Sequence, residues 1–159
     1  MSQKNCANIL KIIVVLAFIG IAAVYFGVAP KIAFNTAENY PEFAFALWPW
    51  LSFVLISCVP VFWALAEAWG IFTRIGNDRS FCRENAVSMR RIAILAAAES
   101  AYLLLGDIAM AVFVINHPGI FLFILILAVI AVMVCGVCWA LSLLIKKASN
   151  LQEENDLTI

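Results

Sequence analysis

The chain has one histidine, His117, and it stands in Asn116-His117-Pro118-Gly119, which reads as a tight polar turn. With no second imidazole, and with Cys135 and Cys138 the only close pair among the five cysteines Cys6, Cys58, Cys82, Cys135 and Cys138, no zinc ligand set is complete and a protein-held metal is not expected. There is no glycine-rich phosphate loop, and no nucleophile stands beside an evident base. Neither catalytic residues nor a cofactor are therefore expected, and an enzyme is the least favoured class. Charge is also scarce. Charged residues make up 13% of the chain against 65% hydrophobic residues, and the mean hydropathy of +1.03 is too high for a soluble domain of 159 residues. The ten acidic and ten basic residues cancel, so the overall balance gives no footprint for direct nucleic-acid binding.

What the chain does have is long apolar runs. Four of them, at about 12–29, 47–72, 92–115 and 120–145, predict an all-α integral membrane protein: an antiparallel bundle of four transmembrane helices forming one domain over residues 1–159. The first run, Ile12 to Ala29, has eighteen uncharged residues and stops at Pro30. A secretory signal is the competing reading, but its apolar region usually spans only about 7 to 15 residues. Lys31 to Ala46 reads as a loop. Trp48 and Trp50 bracket Pro49 and suit an interface anchor at the start of the second run. Pro60 is expected to kink that helix, with Ser57 one turn earlier able to bond the freed carbonyl. The fourth run, Ile120 to Ile145, is uncharged over twenty-six positions and gives way to a tail, 146–159, that carries Glu153, Glu154 and Asp156.

Cations fix the expected orientation. Nine of the ten Lys and Arg residues lie at the start (Lys4, Lys11), in the polar island between the second and third runs (Arg74, Arg79, Arg83, Arg90, Arg91), or after the fourth (Lys146, Lys147). By the positive-inside rule both termini and the island face the cytoplasm. Ala93, Ala97 and Ala101 are the small residues expected to let backbones approach.

The island Ile71 to Ile92 holds half of the chain's basic residues. Within it, 73–91 reads as an amphipathic cytoplasmic loop. Arg79, Arg83 and Arg90 would share one side of a helix begun at Phe81, and Cys82, Ala86 and Met89 another. Such arginines bind lipid phosphates, each contributing on the order of 1 kcal/mol near an anionic surface; they also offer a docking face for a soluble protein. Glu67, Glu99 and Asp107 lie in or near the apolar runs, where an ionised group is costly and a functional role is the default expectation. Counting inward from Arg74 and Arg91 puts Glu67 and Glu99 at a matched depth of roughly 10 to 12 Å, as possible neighbours. Asp107 falls about 12 Å beyond Glu99, near the middle of the third run, with Tyr102 as a possible partner. Cys135-Gly136-Val137-Cys138 would suit a disulfide oxidoreductase, but the pair is too deep, about 22 Å from the outer end of its helix, and reads as packing.

The island RIGNDRSFCRENAVSMRRIA and the terminal QEENDLTI resemble domain-of-unknown-function family 2975, bacterial membrane proteins with a glycine, then Phe, a small hydroxyl residue and Glu-Asn leading into an arginine-bearing helix. The matching residues are Gly76, Phe81, Glu84, Asn85, Arg90 and Arg91, then Glu154, Asn155, Asp156, Leu157, Thr158 and Ile159. Cys82 replaces the hydroxyl residue, leaving Ser80 as the substitute helix cap. The resemblance implies no activity. It does imply a neighbouring small helix-turn-helix regulator of the Cro/repressor type as a protein partner.

Three functions follow as expectations. The first is a regulatory or sensory membrane protein that binds such a regulator through Asp78 to Arg91 and Glu153 to Ile159. The second is a small transporter or exporter using Glu67, Glu99 and Asp107, possibly as a homo-oligomer. The third is an immunity or envelope-stress protein.

Overall fold

In the computed structural model the described backbone covers residues 3–113 and 118–156, and described side chains end at Glu154. These residues are all helical or in turns, with no strand among them. Helix α1 (Gln3–Ala22), a wide π turn (Ala23–Val28) and α2 (Ala29–Asn39) make one first rod. A 3-10 segment (Pro41–Ala46) leads into α3 (Leu47–Gly76), α4 (Arg83–Val112) and α5 (Pro118–Asp156). Four helical stretches are long and apolar enough to cross a membrane.

The helices outrun the apolar runs at three places. Residues 31–46, expected as a loop, form α2 and the 3-10 segment. Pro30 should end a helix, because its ring collides with the carbonyl four residues back and it lacks an N–H. Here it falls on the second residue of α2, directly behind the π turn, where Ala29 N–H bonds to the Val24 carbonyl. The widened turn moves the carbonyls off α-helical register, so the rod passes the proline. The polar island is likewise helical except for the turn 77–82, and residues 146–156 continue α5. Charge ends an apolar run; it does not end a helix.

Each helix packs closely on its neighbour in sequence: α1 on α3, α3 on α4, α4 on α5, with no close backbone approach between α1 and α4 or between α3 and α5 among the described residues. On α4, Ala86, Ala93, Ser100 and Asp107 are all buried and recur every seventh position. On α5, Ala128, Ser142 and Ser149 do the same, with half-buried Cys135 in phase. This is the spacing of a left-handed helix pair. Ala97 and Ala101, expected in the small-residue stripe, are exposed, and only Ala93 of the three is buried. Small residues matter at this seam because apolar attraction between helices vanishes in lipid, leaving contact and interhelical hydrogen bonds. Ser100 Oγ donates to the Ala128 carbonyl (3.1 Å) and Ser142 Oγ to the Ala86 carbonyl (2.8 Å). Ser142→Ala should therefore lower stability by about 0.6 kcal/mol in a detergent unfolding titration, the average for such bonds.

Against α3, α1 places Phe18 on Phe62 with ring centroids 4.8 Å apart, and the Ala7 methyl lies 3.2 Å from where a Cβ on Gly76 would be. Pro60 sits within α3, but Ser57 is directed to Tyr25 rather than to a freed carbonyl. The two tryptophans at the start of α3 part company: Trp48 is 68% exposed, while Trp50 packs against Leu103, Met110, Ile124 and Ala128. Lys11 over Trp69 and Arg90 over Trp139, each 5.4 Å from the ring centroid, are cation–π pairs.

Candidate functional site

Helix α3 ends in a Schellman turn. Arg79 N–H bonds to the Arg74 carbonyl (3.0 Å) and Asp78 N–H to the Ile75 carbonyl (3.2 Å), with Asp78 at φ 60°. The left-handed position is thus Asp78, not Gly76, whose lack of a side chain admits α1 instead. Helix α4 starts after Cys82 with no side-chain cap, and Ser80 bonds to Gln3 Oε1 (3.3 Å) instead of capping. Glu84 fills that role. Its carboxylate accepts from its own backbone N–H and then from the Cys82 thiol, and with Arg79 beside it these hold it below the usual carboxylate range.

The turn is held from beneath by Asn85, which is 1% exposed. Its amide donates to the carbonyls of Arg79 (3.1 Å) and Ser80 (2.9 Å), and its Oδ1 accepts from Arg74 Nη1 (2.7 Å). Arg74 also reaches Ser88 Oγ (3.2 Å). Above this clamp lies a cavity of about 880 Å³ lined by Arg79, Phe81, Arg83, Glu84 and Arg91 from the island, Gln3 from α1, and Ser149, Gln152 and Glu153 from α5. The basic island and the acidic end of the chain, far apart in sequence, thus face one space. Arg79 and Glu84 pair across 2.9 Å, and both are more than half exposed. Asn85 lies beneath the cavity and Arg90 is directed away to Trp139. Leu157, Thr158 and Ile159 lie outside the described residues, as do His117 and the side chains of Asn155 and Asp156.

A polar seam continues down the α3–α4 interface. Glu67 pairs with Arg91 (3.1 Å), not with Glu99. The equal-depth count fails because α4 begins at Arg83, so Arg91 is already two turns in and Glu99 lies about 12 Å further along the axis. Glu99 is 8% exposed and faces Ser57, which in turn bonds to the Tyr25 hydroxyl (2.8 Å). The Tyr102 hydroxyl donates to the Phe53 carbonyl (3.0 Å), not to Asp107. Asp107 is 1% exposed and only about 8 Å from the end of α4, so Glu99 is the mid-helix carboxyl. Sequence reasoning missed Ser57, Ser88 and Tyr25 as members of the seam; a lone Tyr in an otherwise apolar run was the available signal for the last. The described residues hold no group of three or more metal-ligating side chains, and Cys135 and Cys138 are free thiols.

A helical protein with four candidate spans, a polar interhelical seam and a charged cavity at the end where α3 turns into α4 is a multi-span membrane protein. The chain belongs to domain-of-unknown-function family 2975, whose model, described as "Protein of unknown function (DUF2975)", matches residues 31–159. It is similar to the "Uncharacterized membrane protein YoaS" of Bacillus subtilis (strain 168), with 26% identity over 155 residues covering 94% of this chain and 95% of that protein. No solved structure matches the chain.

Proposed function

We propose that the protein is a regulatory or sensory component of the bacterial cytoplasmic membrane, with both ends and the α3–α4 turn on the cytoplasmic side. In this reading it binds a small helix-turn-helix regulator through its basic turn and acidic C-terminal segment, and it performs no catalysis. The observation that carries the reading is the shared cavity: Arg79, Arg83 and Arg91 stand across from Gln152 and Glu153 around a space of about 880 Å³. Charge of both signs on one rim suits a folded polypeptide partner with its own mixed surface, because like-charge mismatches reject other proteins. Arg83 has no ion-pair partner among the described residues, which leaves it for an incoming carboxylate. Positive-inside bias supports the orientation, since nine of ten cations lie toward the proposed cytoplasmic side.

The test is co-purification of the tagged full-length protein from native membranes. A small DNA-binding protein should be recovered with the wild type, and recovery should fall at least about tenfold for Arg83→Glu, a charge reversal worth on the order of 1.4 kcal/mol or more. Removing 151–159 should change transcription of the regulator's target. Recovery of no such protein, or unaltered transcription after the deletion, would overturn the assignment.

A further inference from the structure

Polar side chains from three helical segments meet inside the apolar layer with no basic residue among them. Tyr25 comes from the π turn, Ser57 from α3 and Glu99 from α4. Tyr25 Oη and Ser57 Oγ are 2.8 Å apart, and Ser57 also faces the Glu99 carboxyl. Glu99 is more than nine-tenths buried, and its Oε2 is sealed from solvent without a hydrogen-bond partner. The other carboxyls of the seam differ: Glu67 has Arg91 at 3.1 Å, and Asp107 is engaged as well. The groups facing Glu99 are few. They are Tyr25 from the π turn, with Cys58 of α3 beside that phenol, and Tyr102 along α4 itself. The neighbouring stretch of α5, around Ala128, carries no charged residue.

An ionised carboxylate at such a depth is costly, and nothing of opposite charge offsets that here. We propose that Glu99, together with Ser57 and Tyr25, is a proton-binding site in the membrane-spanning region, occupied when the helices are packed as described. The proton rather than a metal ion is the ligand, because hard cations take about six oxygens. One carboxyl and two hydroxyls cannot supply them. The π turn is the second, independent observation: such widened turns inside α-helices occur frequently at functional sites, and this one carries Tyr25 to Ser57. Tyr25, Ser57 and Glu99 form a hydroxyl chain linking the first rod to α4, so loading or loss of the proton acts on the contact between them. The site stands apart from the charged cavity and does not rest on partner binding.

The experiment uses the full-length protein in liposomes and N,N′-dicyclohexylcarbodiimide, which reacts with protonated carboxyls in apolar surroundings. The carboxyl oxygen adds to the carbodiimide carbon while its proton goes to nitrogen, so the adduct forms with no leaving group. Peptide mass spectrometry should find the adduct on Glu99 and not on Glu67 at neutral pH, and labelling should fall about tenfold per pH unit above its midpoint. Ser57→Ala and Tyr25→Phe should move that midpoint, whereas hydroxyls with a merely structural role would leave it in place. Infrared spectroscopy gives a readout free of reagent access: a protonated-carboxyl stretch that is lost reversibly with rising pH and is missing in Glu99→Gln. Unlabelled Glu99 at neutral pH, preferential labelling of Glu67, or an infrared band unaltered by Glu99→Gln would each overturn the proposal.

Discussion

Asn85→Ala is expected to be among the most damaging single changes in the chain, costing about 3 kcal/mol and releasing the α3–α4 turn. The asparagine is 1% exposed, and its amide joins three groups that have few alternatives nearby: the Arg79 carbonyl, the Ser80 carbonyl and the Arg74 guanidinium. Truncation leaves a cationic group without its 2.7 Å acceptor and two carbonyls without donors. Asn85→Asp separates the effects, since the carboxylate keeps Arg74 but sets negative charge against the two carbonyls. Both variants should open the turn, and alanine should also leave Arg74 held by Ser88 alone. Limited trypsin digestion in detergent should then cut within 74–83 in Asn85→Ala much faster than in the wild type. Unchanged cleavage with an unchanged melting temperature would show that the turn holds without its clamp.

Gly106→Leu should be comparably severe by a different route. A Cβ at Gly106 would overlap Phe53 Cε2 and lie 2.8 Å from Cδ2. That ring cannot simply swing aside, because it stacks on Tyr102 with centroids 4.9 Å apart, and the Tyr102 hydroxyl is tied to the Phe53 carbonyl. Overpacking usually costs about 1 to 3 kcal/mol, and the upper end is expected where a hydrogen bond goes with it. Gly136→Leu is the internal control. Nothing lies within 4 Å of a Cβ there, so the gain in helix propensity of roughly 0.8 kcal/mol over glycine should make it neutral or stabilising. Thermal unfolding of both variants in one detergent checks the contrast, and Phe53→Ala combined with Gly106→Leu should recover part of the loss.

The class and the number of spans were legible because bilayer thickness imposes an apolar length that hydropathy reads directly. Helix ends were not. Lys31 to Asn39 is polar enough to leave the bilayer yet keeps helical geometry, since backbone hydrogen bonding does not require an apolar surface, and the helix expected from Phe81 starts at Arg83, so the third apolar run begins well inside it. That error propagated to the seam: depth counted from Arg91 instead of from the turn put Glu99 level with Glu67, when Arg91 itself is Glu67's partner. The island was recognisable as a site from its arginines. The division of labour within it was not, because Asn85 acts through carbonyls that sequence spacing cannot locate, and Arg90 through Trp139, forty-nine positions away.

Because α1 touches α3, α3 touches α4 and α4 touches α5, every close pairing joins segments that emerge one after another during synthesis. Once inserted, each new hairpin can dock on the one before it without waiting for a distant partner, which is the low-contact-order arrangement that folds fastest. The protein should accordingly assemble from two co-expressed pieces cut between residues 113 and 118, which co-purification of the two pieces checks. The first piece should insert with its α3–α4 interface already formed, and α5 should join as a separate, later addition.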